Sequence, residues 1–149
     1  MIEIDDMDRR ILAALEADSR LSHAEIGARI GLSASSVWRR VKALEAAGVI
    51  TRYAAILDPA KTGRGFQAIV AVEMRRHDQA KVRAFEAALR SHPAILAAWA
   101  TTGTADYHLR VACASIEDYN RFLDEFLFRQ PAVQSAQTHV VLREIRPCP

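Results

Sequence analysis

The sequence predicts an α+β protein in two parts, three short helices followed by a βαββαβ unit. Three observations predict it. The apolar residues recur with helical period up to Gly48, they alternate with period two from Phe66, and Asp58-Pro59 and Lys61-Thr62-Gly63-Arg64-Gly65 break the pattern between. The expected division is a domain over 1–57, a linker over 58–65 and a second domain over 66–149. With 149 residues, half of them apolar, the chain has room for one ordinary domain or two small ones, each with a modest core.

The first helix takes Asp5 as its cap, Ile11, Leu12 and Leu15 as its apolar stripe and Asp18-Ser19 as its exit. Ser22 and Glu25 form a capping box for the second, with Leu21 and Ile26 placed as a hydrophobic staple. That helix is short because Gly31 suits the left-handed residue after a helix end. Ser33 caps a third helix, which runs to about Ala47 with Val37, Val41 and Leu44 inward and stops at Gly48. Two helices across a glycine-containing turn, behind a supporting helix, are the pattern of a helix-turn-helix. Val49–Ile56 follows as a β-rich segment, a wing or an exit strand.

The net charge of +2 hides a polarised chain. Residues 1–19 hold six acids against two bases, whereas residues 20–64 hold eight bases against three acids. Local clustering of this kind is what a nucleic-acid footprint requires. The third helix leaves Ser33, Ser35, Ser36, Trp38, Arg39, Arg40 and Lys42 as candidate DNA contacts. Short hydroxyls allow close approach at the helix start, where phosphate is favoured, and arginine offers a fork for guanine or phosphate oxygens. Trp38 packs on the first helix or against the DNA backbone.

From Phe66 one strand face is Phe66, Ala68, Val70, Val72 and Met74, the other Gln67, Ile69, Ala71 and Glu73. A helix capped by Asp78 follows, with Val82, Phe85 and Leu89 on one face. Ala94–Thr101 reads as a strand apolar on both faces, and the Thr102-Gly103-Thr104-Ala105 turn leads to a strand with Tyr107, Leu109 and Val111 inward. Ser115 and Asp118 predict a second capping box, opening a helix with Ile116, Phe122, Leu123, Phe126 and Leu127 that Gln130-Pro131 closes. The last strand is expected from about Val133 to Ile145. The order βαββαβ is that of ferredoxin-like folds. Two helices cover one sheet face only, leaving Ile69, Ala71, Leu96 and Ala98 on the other, so a homodimer through this domain is expected. Paired helix-turn-helix modules would then read pseudo-palindromic sites.

Over nearly its whole length the chain resembles the Lrp/AsnC (feast/famine) regulators. The matching stretches are Ile4-Asp5-Asp6-Met7-Asp8-Arg9-Arg10-Ile11-Leu12, Leu32-Ser33, Arg39-Arg40-Val41-Lys42-Ala43-Leu44-Glu45, Gly48-Val49-Ile50 and Thr102-Gly103-Thr104-Ala105-Asp106-Tyr107. The resemblance implies a winged helix-turn-helix transcription regulator that binds double-stranded DNA, senses a small molecule, usually an amino acid, and assembles dimers into octamers or larger rings. It puts the effector pocket on Thr101, Thr102, Gly103, Thr104 and Asp106. The chemistry fits: Gly103 admits close backbone approach to a carboxylate, Asp106 can pair an ammonium, and the threonines supply hydroxyls. A plain hairpin turn, with Asp106 bonding backbone, is the other reading. The chain departs from the family at Ala34, where proline is frequent, and at the bulky Trp38. Trp99 and Tyr107 either narrow the pocket or belong to the core.

An enzyme reading stays beside this one, because siroheme decarboxylases are similar in both domains. Here His108, next to Asp106 and Arg110 on one strand face, is the cluster that would serve it. No phosphate loop, nucleophile elbow, HExxH or paired metal ligands occur, so no catalytic residues, cofactor or metal are expected. Cys113 and Cys148 form no CxxC pair. No stretch is long enough to span a bilayer and no secretory signal is visible, so a cytoplasmic protein without a membrane partner is expected.

Overall fold

The computed structural model describes residues 3–75 and 79–145. The chain divides into two compact units, Met1–Ala55 and Ile56–Pro149. In the first, α1 (Asp6–Ala17), α2 (His23–Ile30) and α3 (Ala34–Ala46) enclose Ile11, Ile26, Val37 and Val41. Leu15, Leu21, Ile30, Leu32 and Ile50 close the edges of this core.

Local chemistry sets each helix boundary. Asp5 and Asp8 exchange bonds between side chain and backbone N–H at the start of α1, and Ser22 and Glu25 do the same for α2. At the end of α2 the N–H groups of Gly31 and Leu32 both reach the Gly27 carbonyl, at 2.9 and 3.0 Å. The α3 end repeats the motif, with Val49 N–H on Leu44 and Gly48 N–H on Glu45. Val49–Ile56, read as wing or exit strand, forms no strand among the described residues. Its backbone groups find no ladder, since no described strand pairs with it.

The second unit contains β1 (Phe66–Met74), α4 (Gln79–Ser91), β2 (Ile95–Ala100), β3 (Tyr107–Cys113), α5 (Ile116–Arg121) and β4 (Val133–Val140). The strands form one antiparallel sheet in the order β2-β3-β1-β4. Ala68, Val70, Val72, Leu109 and Val111 pack with Phe85, Leu89, Phe122 and Leu127 of the helical layer. The Asp78 cap lies outside the described residues.

Three details depart from the sequence expectation. A bulge between Ile95 and Ala97 shifts β2, so Ala98 pairs with Leu109 on the helix-covered face while Ala97 and Trp99 pair with Arg110 and His108 on the open face. Ala98 is therefore not part of the open apolar surface, and Leu96 sits in the bulge itself. Trp99, 47% exposed, joins Ile69 and Ala71 there instead of the core. Next, the helix begun by Ser115 changes at Phe122 into a π-helical turn, Phe122–Leu127, and Ile116 stays half-exposed. Ser115 accepts the Asp118 N–H, the half of the expected box that forms. Finally β4 stops at Val140, where pairing with Ala68 ends.

Candidate nucleic-acid interface and effector turn

With Val37, Val41 and Leu44 inward, α3 presents Ser35, Trp38, Arg39 and Lys42 at spacings of three, four and seven along its outer face. Trp38 is 52% exposed. Arg39 is exposed and makes no hydrogen bond or ion pair with any described residue. Lys42 donates to Glu45 Oε2 at 2.7 Å, and Tyr53 donates to Glu45 Oε1 at 3.1 Å. The Lys42 hydrogen bond, followed by Tyr53, holds the Glu45 carboxyl below its ordinary value. At the start of α3 the Ser33 hydroxyl accepts the Ser36 N–H and lies 3.0–3.1 Å from the Ser35 and Ser36 hydroxyls. These three hydroxyls surround the helix's positive end.

Arg40 stands apart from this stripe. Its Nη1 lies 2.8 Å from both Asp5 Oδ2 and Asp8 Oδ1, binding α3 to the cap of α1. Asp8 is only 7% exposed, so the guanidinium compensates an acid that the fold places away from water. The sequence reading sets Arg40 outward beside Arg39; in the structure the helical rotation of one residue turns Arg40 toward α1.

A consequence can be measured. Arg40→Met should lower the melting temperature of the full chain by several degrees, whereas replacing a solvent-facing arginine should not. The pH dependence has a definite sign. The Asp8 backbone N–H, then the Arg40 bond, hold the Asp5 carboxyl below its ordinary value of 3.8. This contribution is thus complete above that value and is lost as pH falls through the lower folded-state value. Melting curves below pH 4 should show wild type losing stability faster than Arg40→Met; parallel curves would refute the clamp.

At the β2–β3 turn, Gly103 adopts φ 118°, a conformation that L side chains rarely take. Thr101 is turned back onto the hairpin: its N–H donates to the Asp106 carbonyl at 2.8 Å, its hydroxyl to the Ala105 carbonyl at 3.1 Å. The same hydroxyl is 3.0 Å from His108 Nδ1. Asp106 Oδ2 accepts the Met74 N–H at 2.6 Å, tying the turn to the end of β1. Thr102 and Thr104 are exposed and make no hydrogen bond with described residues. The turn thus brings Asp106, Gly103 and two open threonines together but commits Thr101 to the fold. Tyr107 belongs to the core. Its hydroxyl donates to Glu86 at 2.9 Å, and burial, then Glu86, push the phenol up to about 12.

The sequence reading missed Gly27. A Cβ there would lie 2.4 Å from the Leu32 carbonyl oxygen, so glycine lets the turn close against α2. A glycine four residues before the Gly31 stop was the available signal.

A trihelical unit with an open basic helix face, joined to a sheet unit with a polar turn, defines the class of DNA-binding regulators built with a separate sensing domain. The family model described as Lrp/AsnC ligand binding domain matches residues 67–149, and the one described as winged helix-turn-helix DNA-binding matches residues 4–51. The chain is 33% identical to the HTH-type transcriptional regulator AldR of Mycolicibacterium smegmatis over 97% of its own length and 84% of the relative's. A Neisseria meningitidis transcriptional regulator solved as its L-Met complex superimposes with TM-score 0.92 and 34% identity, covering 97% of this chain and 94% of that one. The feast or famine regulatory protein of M. tuberculosis, complexed with L-methionine, gives 0.87 and 28%, covering 97% and 96%.

The chain belongs to the Lrp/AsnC family and is a DNA-binding transcription regulator. These relatives are regulators, and nothing favours the tetrapyrrole-enzyme alternative. Its suggestive residues are otherwise engaged: His108 with Thr101, and Arg110 with Gln67 at 3.1 Å and Glu144 at 2.7 Å. Among the described residues no helix is long and apolar enough to cross a membrane.

Proposed function

We propose that the chain reads pseudo-palindromic operators as a dimer, with Ser35, Trp38, Arg39 and Lys42 in the major groove and Ser33 and Ser36 at a phosphate. The observation that carries this is the outer stripe of α3, on which Arg39 is exposed and uncommitted. A two-fold pair of such helices matches half-sites about one duplex turn apart. The open sheet face supports the pairing: its apolar pairs, Ala97 with Trp99 on β2 and Ile69 with Ala71 on β1, alternate with the polar pairs His108 with Arg110 on β3 and Gln137 with His139 on β4. A second copy is the simplest cover for such a surface. Further assembly into an octamer, and work in the cytoplasm, complete the reading.

We also infer an amino-acid effector at the β2–β3 turn, since two solved relatives hold L-methionine and this turn offers acid, hydroxyls and open backbone. Asp106 would use its second oxygen for the ammonium.

Selection of binding sites from random duplexes with the full chain tests the first part. Enrichment of two-fold-related half-sites is expected; an unenriched pool would overturn operator reading. For the second part, L-methionine should change the DNA affinity of wild type, and Asp106→Ala should reduce that response at least tenfold while sparing basal binding. Equal responses would remove Asp106 from the site.

A further inference from the structure

An open surface pocket of about 580 Å³ lies in the second unit at the Cys113 end of β3. The Thr101–Asp106 turn is at the opposite end of the same strand, about 20 Å away at ~3.3 Å per residue. The two places are distinct, and the cavity does not depend on the turn's being an effector site.

One wall is aromatic. The His92 ring stands 4.1 Å from Phe126 and 5.1 Å from Phe122, and the two phenylalanines stack at 5.4 Å. His92 Nδ1 accepts the Ala94 N–H at 3.2 Å, and burial lowers its pKa, so the imidazole is a neutral flat surface. Phe122, Glu125 and Phe126 all come from the π-helical turn. Such turns are rare and often occur where a side chain must be re-aimed at a functional site.

The charged lining is balanced and only half committed. Arg121 and Asp118 pair with each other. Arg64 makes a single long contact, Nη1 to the Pro93 carbonyl at 3.4 Å. Glu125 makes no hydrogen bond or ion pair with any described residue. One open cation and one open anion therefore border an aromatic wall, in a volume typical of small-molecule sites.

We propose that this cavity is a second ligand site, taking a zwitterionic amino acid with an aromatic side chain. The carboxylate meets Arg64, the ammonium meets Glu125, and the ring lies on Phe122, Phe126 and His92. A purely apolar ligand would use neither charge, and a ligand with one charge would use only one. The cavity has room for the ligand with hydration waters.

The test uses the full chain with L-phenylalanine as probe, reading its melting temperature against probe concentration. Wild type and Asp106→Asn should both show a saturable rise, because the turn is remote from the cavity. Glu125→Gln and Arg64→Gln keep size while removing charge, and each should require at least tenfold more probe. 3-Phenylpropionate and phenethylamine, each lacking one charge, should need at least tenfold more than L-phenylalanine on wild type. No rise with L-phenylalanine overturns the proposal. So does a rise that survives unchanged in Glu125→Gln or Arg64→Gln, one abolished by Asp106→Asn, or equal potency of the three probes.

Discussion

Gly27→Ala is expected to destabilise the helix-turn-helix by about 1–3 kcal/mol and to cost most of the DNA affinity. Helix propensity alone argues the other way, since alanine in a helix interior is favoured over glycine by about 1 kcal/mol. Tertiary contact decides the sign. The added methyl would stand 2.4 Å from the Leu32 carbonyl oxygen, a backbone atom that cannot swing aside as a long side chain would. Moving it displaces Ser33, the cap of α3, and strains the bonds from Gly31 and Leu32 to the Gly27 carbonyl. The reading helix would tilt away from the groove. Ala28→Gly makes the control: it is exposed on the same helix, so it should lose only about 1 kcal/mol and keep the turn. Thermal melting and duplex binding by anisotropy check both variants. A Gly27→Ala protein that melts higher than wild type and binds normally would refute the contact.

Arg39→Ala should show the complementary phenotype, with unchanged melting and weakened DNA binding. A bidentate arginine contact to a base is worth about 1–3 kcal/mol, so affinity per subunit should fall on the order of tenfold to a hundredfold. The loss should be larger for a two-fold assembly that uses the contact twice. If Arg39 reads guanine, discrimination at that base pair relaxes. If it meets phosphate, the loss is uniform over sequences and the slope of affinity against salt falls by about one. The expectation rests on its lack of any described partner, for nothing in the fold depends on its charge. A melting temperature that falls with DNA binding intact would place Arg39 in the structure and leave the outer stripe without its uncommitted cation.

Much of the fold is legible locally because its signals are short-range. Asp5, Ser22 and Ser33 announce helix starts through bonds to N–H groups three residues on. The alternation of Phe66–Met74 fixes which side of β1 meets the helices. The candidate site is legible only in part. Composition groups six residues of α3 with its cap Ser33, yet one helical rotation separates the outward Arg39 from Arg40, whose partners lie 32 and 35 residues earlier. Adjacent arginines look alike in a sequence. Their roles part only when α1 has packed.

The three capped helices, the alternating strands, the βαββαβ order and the basic third helix are written in the residues alone. Capping, periodicity and charge act over a few residues and need no knowledge of distant neighbours. Tertiary structure alone decided the Arg40 clamp, the close approach at Gly27, the bulge that puts Trp99 on the open face and the π-helical turn beside the cavity. Each depends on which groups, remote along the chain, are brought within a few ångströms. There sterics and desolvation outweigh local preference.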